Sequence, residues 1–203
     1  MKKILLLAGV ACLAAANAYA FDFNPYVAAK AKYLLARNEI KATGSIEGKD
    51  KAHDNIWGGS IAAGTIYPVS TGDFRLEIEY TKNADAKKNG AKVKTQGALF
   101  NVYYDLDMQG QLPITPYAGV GLGWGRTEIS GVNSLIDEKD DGVALQIGAG
   151  VSYKVCDHTS VDLGYRYITY GDFDKEYHAG MMYEKFEYKP HAHEFSLGLR
   201  YEF

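Results

Sequence analysis

The chain closes on an unbroken alternation. His193, Phe195, Leu197, Leu199, Tyr201 and Phe203 share one face of an extended strand, and Glu194, Ser196, Gly198, Arg200 and Glu202 share the other. One face suits hydrocarbon and the other suits water. About 9 to 11 residues with this period are what a tilted strand needs to cross a bilayer within a closed barrel. A lone strand cannot cross, because its backbone N–H and C=O groups would find no partners in lipid. The pattern therefore demands companions.

Seven further segments supply them. Val161, Leu163, Tyr165 and Tyr167 form one apolar face, and Val143, Leu145, Ile147, Ala149, Val151, Tyr153 and Val155 another. Pro116, Ala118, Val120, Leu122 and Trp124 alternate with Tyr117, Gly119, Gly121, Gly123 and Gly125. Ala98, Phe100, Val102, Tyr104 and Leu106 alternate with Gly97, Leu99, Asn101, Tyr103 and Asp105. Phe74, Leu76, Ile78 and Tyr80 share a face, as do Trp57, Ile61, Ala63 and Tyr67, and Val27, Ala29, Ala31, Tyr33 and Leu35. The expected fold is all-β, an eight-stranded antiparallel up-and-down transmembrane barrel.

The connections alternate in length. Residues 36–55, 82–95, 126–142 and 171–191 read as long polar loops, and 68–73, 107–115 and 156–159 as tight turns. Long loops outside and short turns inside place both termini in the periplasm. A soluble sandwich would alternate too, but these strands exceed the usual five or six residues, and an open sheet would leave edges unsatisfied in lipid. Aromatic residues near strand ends, Trp57, Tyr67, Tyr104, Trp124, Tyr153 and Phe203, suit the membrane interface.

Residues 1–20 read as a cleavable signal peptide: Lys2 and Lys3, an apolar run from Ile4 to Ala16, then Ala18-Tyr19-Ala20. The barrel domain is then 21–203. Cys12 sits in a poor context for lipid modification, and its loss leaves Cys156 alone, so no internal disulfide forms. Losing Lys2 and Lys3 takes the formal charge from −3 to −5, a mild acidity that gives no reason to expect nucleic acid.

If the apolar faces meet lipid, the lumen receives Lys30, Lys32, Arg75, Lys154, Arg166 and Arg200 against Glu77, Glu79, Asp105, Asp162, Glu194 and Glu202. An eight-stranded interior is just wide enough to be filled by side chains, so balanced charges point to a plugged, self-paired network. The competing reading is a narrow polar pore, with the glycines from Gly119 to Gly125 leaving one wall bare. Their G-x-G-x-G-x-G spacing lies within a strand and opens no helix, so it is no nucleotide loop.

The opening Asn24-Pro25-Tyr26-Val27, the strands Pro116-Tyr117-Ala118-Gly119-Val120-Gly121 and Asp162-Leu163-Gly164-Tyr165-Arg166-Tyr167, and the terminal Phe203 together resemble the small outer-membrane barrels of the opacity and surface-antigen group. The resemblance covers the whole mature chain. It implies that Leu199, Tyr201 and Phe203 are read by the outer-membrane assembly machinery, and that the barrel has outer-membrane lipid and lipopolysaccharide as neighbours. It also implies exposure at the cell surface, with adhesion to a host or surface ligand in some members. A fold-level likeness does not itself transfer any one role.

The search for chemistry yields few candidates. His158-Thr159-Ser160 has the H-x-S spacing of a lipid A deacylase but lies in a short turn at the wrong end. His178, His191 and His193 lack a further ligand to complete a metal site, and the acidic run 137–142 lacks the alternating oxygen ligands of a calcium loop. Lys82, Lys87, Lys88, Lys92 and Lys94 form a basic loop suited to lipopolysaccharide phosphates. The expectation is a monomeric surface barrel with no catalytic residue, cofactor or metal, structural and adhesive through its loops. The alternative is a narrow porin.

Overall fold

The computed structural model describes residues 24–43, 48–84, 86–88, 91–108, 113–130, 137–170, 173–179 and 182–203, with side chains for 24–35, 55–84, 94–108, 113–126, 141–169 and 191–203. The expected leader lies outside the described residues. Ten strands follow in order: β1 (Asn24–Thr43), β2 (Gly48–Val69), β3 (Gly72–Asn83), β4 (Ala86–Lys88), β5 (Ala91–Leu106), β6 (Ile114–Ser130), β7 (Asp137–Cys156), β8 (Thr159–Tyr170), β9 (Phe173–Ala179) and β10 (Met182–Glu202). Eight of them close a barrel in the order β1-β2-β3-β5-β6-β7-β8-β10, all antiparallel.

The closing alternation makes the seam. Residues of β10 pair with β1 from Tyr26↔Glu202 to Thr43↔Lys185, so the first and last strands satisfy each other's backbones and no edge is left in the wall. Beyond the ladder, the Phe203 amide donates to the Pro25 carbonyl at 3.0 Å. The β2–β3 turn is tight because Gly72 takes φ 155°, and a Cβ there would come within 2.3 Å of the Asp105 carbonyl.

Period 2 sorts every spanning residue. The apolar faces read from the sequence point outward, with Ile61, Ile78, Val120, Ile147, Leu163 and Leu197 all more than half exposed. In a soluble protein this would be a large liability. On a barrel wall it is the lipid contact. Two aromatic belts bound this band. Tyr33 and Trp57 sit 4.9 Å apart toward one end, and Phe74 and Tyr104 5.0 Å apart toward the other. Trp57 and Tyr67 lie about ten residues apart on β2, the span a tilted strand needs.

The expected long loops prove to be largely strand. β1, β2, β7 and β10 run 20 to 22 residues, whereas β3 and β8 have 12. Pairing of β2 with β3 begins at Gly58↔Asn83, and pairing of β7 with β8 begins at Ala144↔Tyr170. Above those levels, among the described residues, the wall divides into two projecting sheets, β9-β10-β1-β2 and β4-β5-β6-β7. Apolar alternation is enforced only where lipid faces the sheet. The backbone ladder needs no such pattern and continues into water. The acidic run 137–142 is accordingly the start of β7, paired with β6, and His191, at the end of an expected loop, stands on β10 with His193.

Candidate functional site

Among the described residues, charged side chains converge in the lumen, and its contents fall into three layers. At the turn end, Tyr26, Ala28, Ala62 and Ile66 pack together beside Arg75 and Arg200. Arg75 reaches Asp105 at 3.1 Å and Asp162 at 3.5 Å. Arg200 reaches the same two carboxylates at 3.7 and 3.8 Å and Glu202 at 3.2 Å. The Arg75 guanidinium is held between the rings of Tyr103 and Tyr117, 4.7 and 4.8 Å from their centroids, a stacking that suits a desolvated planar cation.

The middle layer pairs three cations with three carboxylates. Lys30 donates to Glu77 at 2.6 Å and Glu79 at 3.1 Å, and Lys32 donates to Glu79 and lies 3.3 Å from Glu194. Arg166 bridges Glu79 at 3.1 Å and Glu194 at 2.7 Å. Neutral groups complete the set: the Tyr26 hydroxyl and the Asn101 amide each donate to Glu77, at 3.0 and 3.1 Å, and Gln146 donates to Asn101 at 3.0 Å. Isolated ions cost several kcal/mol each, on the order of the idealised burial penalty after relaxation, so only this multiple pairing makes the layer tolerable. Above it, toward the loop end, Leu34, Leu99, Ala144, Ile168 and Ala192 form an apolar lid with Ile56 against it.

Ten of the twelve expected lumen charges occupy these two ionic layers: Lys30, Lys32, Arg75, Glu77, Glu79, Asp105, Asp162, Arg166, Glu194 and Arg200. Glu202 lies half-buried at the rim. Lys154 is a correction: it pairs with Ser160 but is exposed, because it stands at the turn end of the barrel, two residues before β7 stops and just ahead of a register shift between Lys154 and Cys156, a bulge of the kind found at barrel rims.

The glycine wall is a second correction. A Cβ at Gly119 would fall 2.3 Å from the Tyr103 ring, one at Gly121 2.1 Å from Asn101, and one at Gly150 2.4 Å from Tyr117. These glycines are wells filled by their neighbours' side chains. Between Lys30, Arg75, Glu79, Tyr103 and Tyr117 lies a cavity of about 30 Å³, room for about one water.

The other candidates stay apart from this centre. Leu199, Tyr201 and Phe203 point outward on β10, with Tyr201 and Phe203 edge to face at 5.4 Å. Lys82 and Lys94 are exposed on the outer face, whereas the side chains of Lys87, Lys88 and Lys92 lie outside the described residues. His193 bonds the Tyr165 hydroxyl at 2.7 Å and His191 packs on Tyr167. Their rings belong to the aromatic belt, and no group of three metal-ligating side chains occurs among the described residues. His158 bonds the Glu202 carbonyl oxygen at 3.1 Å in its turn. Sequence reasoning missed the apolar lid and the packing tyrosines. Parity carried the signal: Leu34 follows Lys30 and Lys32, Ile168 follows Arg166, and Ala192 precedes Glu194 on the same inward face.

A closed wall with an apolar exterior, two aromatic belts and a paired ionic interior defines a transmembrane β-barrel. The chain belongs to the outer membrane protein beta-barrel family, whose domain model matches residues 4–203, and this places it in the bacterial outer membrane. Outer membrane protein PagN of Salmonella typhimurium is similar, 24% identical over 177 residues that cover 73% of each chain. A protein of Brucella abortus is 36% identical over 93 residues, 40% of this chain, so the match spans only about a third (32%) of that relative. Among solved structures, neisserial surface protein A has TM-score 0.60 at 24% identity, covering 88% of this chain and 97% of the other. OprG of Pseudomonas aeruginosa has 0.55 at 12%, covering 89% and 96%. Both share the fold.

Proposed function

We propose that this barrel is a closed, non-catalytic surface protein that strengthens the outer membrane and offers its two projecting sheets to surface ligands, with both termini in the periplasm. The observation that carries the reading is the filled lumen: paired ions, an apolar lid and space for about one water. A strand system that plugs its own interior has its partner-facing area where the wall divides into two sheets. Leu199, Tyr201 and Phe203 act before this, as the signal read by the assembly machinery, and Lys82 and Lys94 face the phosphates of neighbouring lipopolysaccharide.

The deciding measurement is a planar bilayer recording on refolded protein. A closed barrel gives no steady conductance, whereas discrete steps that change on Arg166→Ala would make it a narrow porin instead. Orientation is tested at Cys156, which is exposed in the β7–β8 turn and whose thiol is held below its usual range by hydrogen bonding to Thr159. A membrane-impermeant maleimide should label it only after the outer membrane is permeabilised. Labelling on intact cells would invert the orientation. Exchange of the projecting segments should abolish surface-ligand binding, and binding that survives their removal would end the adhesive part of the reading.

A further inference from the structure

The outer wall is not uniformly convex. On the lipid side of β1 and β2, Ala29, Ala31 and Gly59 form the floor of a groove of about 820 Å³, within the range of ligand clefts. Register explains it. Ala31 pairs with Gly59 on one side and Leu197 on the other, and Gly59 pairs with Lys82, so one row across four strands reads large, small, small, long. Leu197 and Leu199 make one bank, and Tyr80 and Lys82 the other. The tilted pair Tyr33 and Trp57 stands in the next outward-facing row of β1 and β2, on the side nearest the loops.

Gly59 differs from the inward glycines. A Cβ there meets nothing nearer than the Lys30 carbonyl oxygen at 3.5 Å, ordinary contact, whereas Gly119, Gly121 and Gly150 have no room for one. Nothing within the barrel requires Gly59 to be small. Its smallness serves only the space outside. That space is apolar at its floor, carries a cation at its rim, and includes no carboxylate among its lining residues. Lys82 stands exposed beside it at the level of the aromatic belt, where a lysine's stem lies along apolar surface and its head reaches the interface.

We propose that this groove holds an acyl chain of an anionic membrane lipid whose phosphate is a monoester, with Lys82 on that phosphate and the Tyr33–Trp57 pair over the upper part of the chain. The charge complementarity at Lys82 selects the phosphate. The small floor selects a hydrocarbon chain over a bulky side chain. The proposal rests on the barrel spanning a bilayer but not on which end faces outward, since synthetic vesicles carry the lipid in both leaflets, so an error in the orientation above leaves this test intact.

The test uses fluorescence of Trp57, one of only two tryptophans. Trp124→Phe protein is refolded into phosphatidylcholine vesicles containing a minor fraction of phosphatidic acid brominated on its acyl chains, or the same fraction of equally brominated phosphatidylcholine. Quenching by the phosphatidic acid should exceed that by the phosphatidylcholine by about fivefold, the ratio that roughly 1 kcal/mol per lysine near anionic lipid gives. Lys82→Gln should remove the preference, and Gly59→Leu, which the backbone accommodates, should reduce quenching by both lipids while heat-sensitive gel migration reports an intact barrel. Trp57→Phe protein, whose Trp124 lies on β6, should show no Lys82-dependent preference. Equal quenching by the two lipids, or a preference surviving Lys82→Gln, would overturn the proposal. So would shielding of Trp57 that grows with protein density, which would put a second barrel in the groove.

Discussion

Adjacent residues on one strand of this barrel live under opposite rules. On β3, Ile78 and Tyr80 face outward with about half their surface exposed, and Glu77 and Glu79, which alternate with them, are almost wholly buried. The outer wall asks only for membership of a class, since lipid packs against Ile, Val, Leu or Phe alike. The lumen asks for a particular residue at each position, because Glu79 alone serves Lys30, Lys32 and Arg166. Fluid surroundings forgive shape, and a packed ionic interior does not.

The sharpest way to break the contrast is Glu79→Ala, which leaves the three cations of the middle layer to share two carboxylates, Glu77 and Glu194. Unfolding in denaturant should show a loss of about 3–5 kcal/mol, as when one member of a buried ion network is removed. Glu79→Gln should recover part of that. An equal change in charge on the wall, Leu163→Arg, should cost about 2–4 kcal/mol near the bilayer midplane, whereas Leu163→Phe should stay within about 0.5 kcal/mol. If the two Leu163 variants behaved alike, the wall would be as particular as the lumen. Gly121→Val should cost about 1–3 kcal/mol through overpacking against Asn101 and Gln146, and Gly59→Val on the outer face should not.

The smallest effect belongs to the exposed pair beyond the membrane. Arg126 donates to Asp141 at 2.7 and 3.0 Å, and that hydrogen bonding holds the Asp141 carboxyl below the usual carboxylate range. A depressed carboxyl stabilises the fold above the pKa of its unfolded form, about 4, and that contribution disappears as pH falls through the folded value. Because the pair is solvent-screened, Asp141→Asn should leave the denaturation midpoint unchanged at neutral pH. A measurable loss would show that the projecting sheets share the stability of the barrel.

Much of this was legible in advance, for a single reason. Each spanning strand must place lipid and lumen side chains on opposite faces, so alternation in residues such as Val143 to Val155 marks both the strand and its orientation. The ionic lumen followed from parity. The projecting strands did not, because small or charged residues such as Ala36, Arg37, Asn38, Glu39 and Lys41 read as a polar loop, although they pair with β2 and β10 as regularly as the spanning part. The glycines misled for a related reason: a missing side chain reads as empty space along one strand, and only the neighbouring strand reveals Tyr103 or Tyr117 in the gap.

The sequence by itself determined that this chain crosses a membrane on eight strands, and which residues face lipid and which face the lumen, because a period of two depends only on the backbone pleat. The tertiary structure alone decided which charges pair, that Lys154 stands exposed at the turn end of the barrel, and that small residues from β1 and β2 meet beneath Lys82. Those outcomes depend on the register between strands, and register is a relation between segments that no single segment carries.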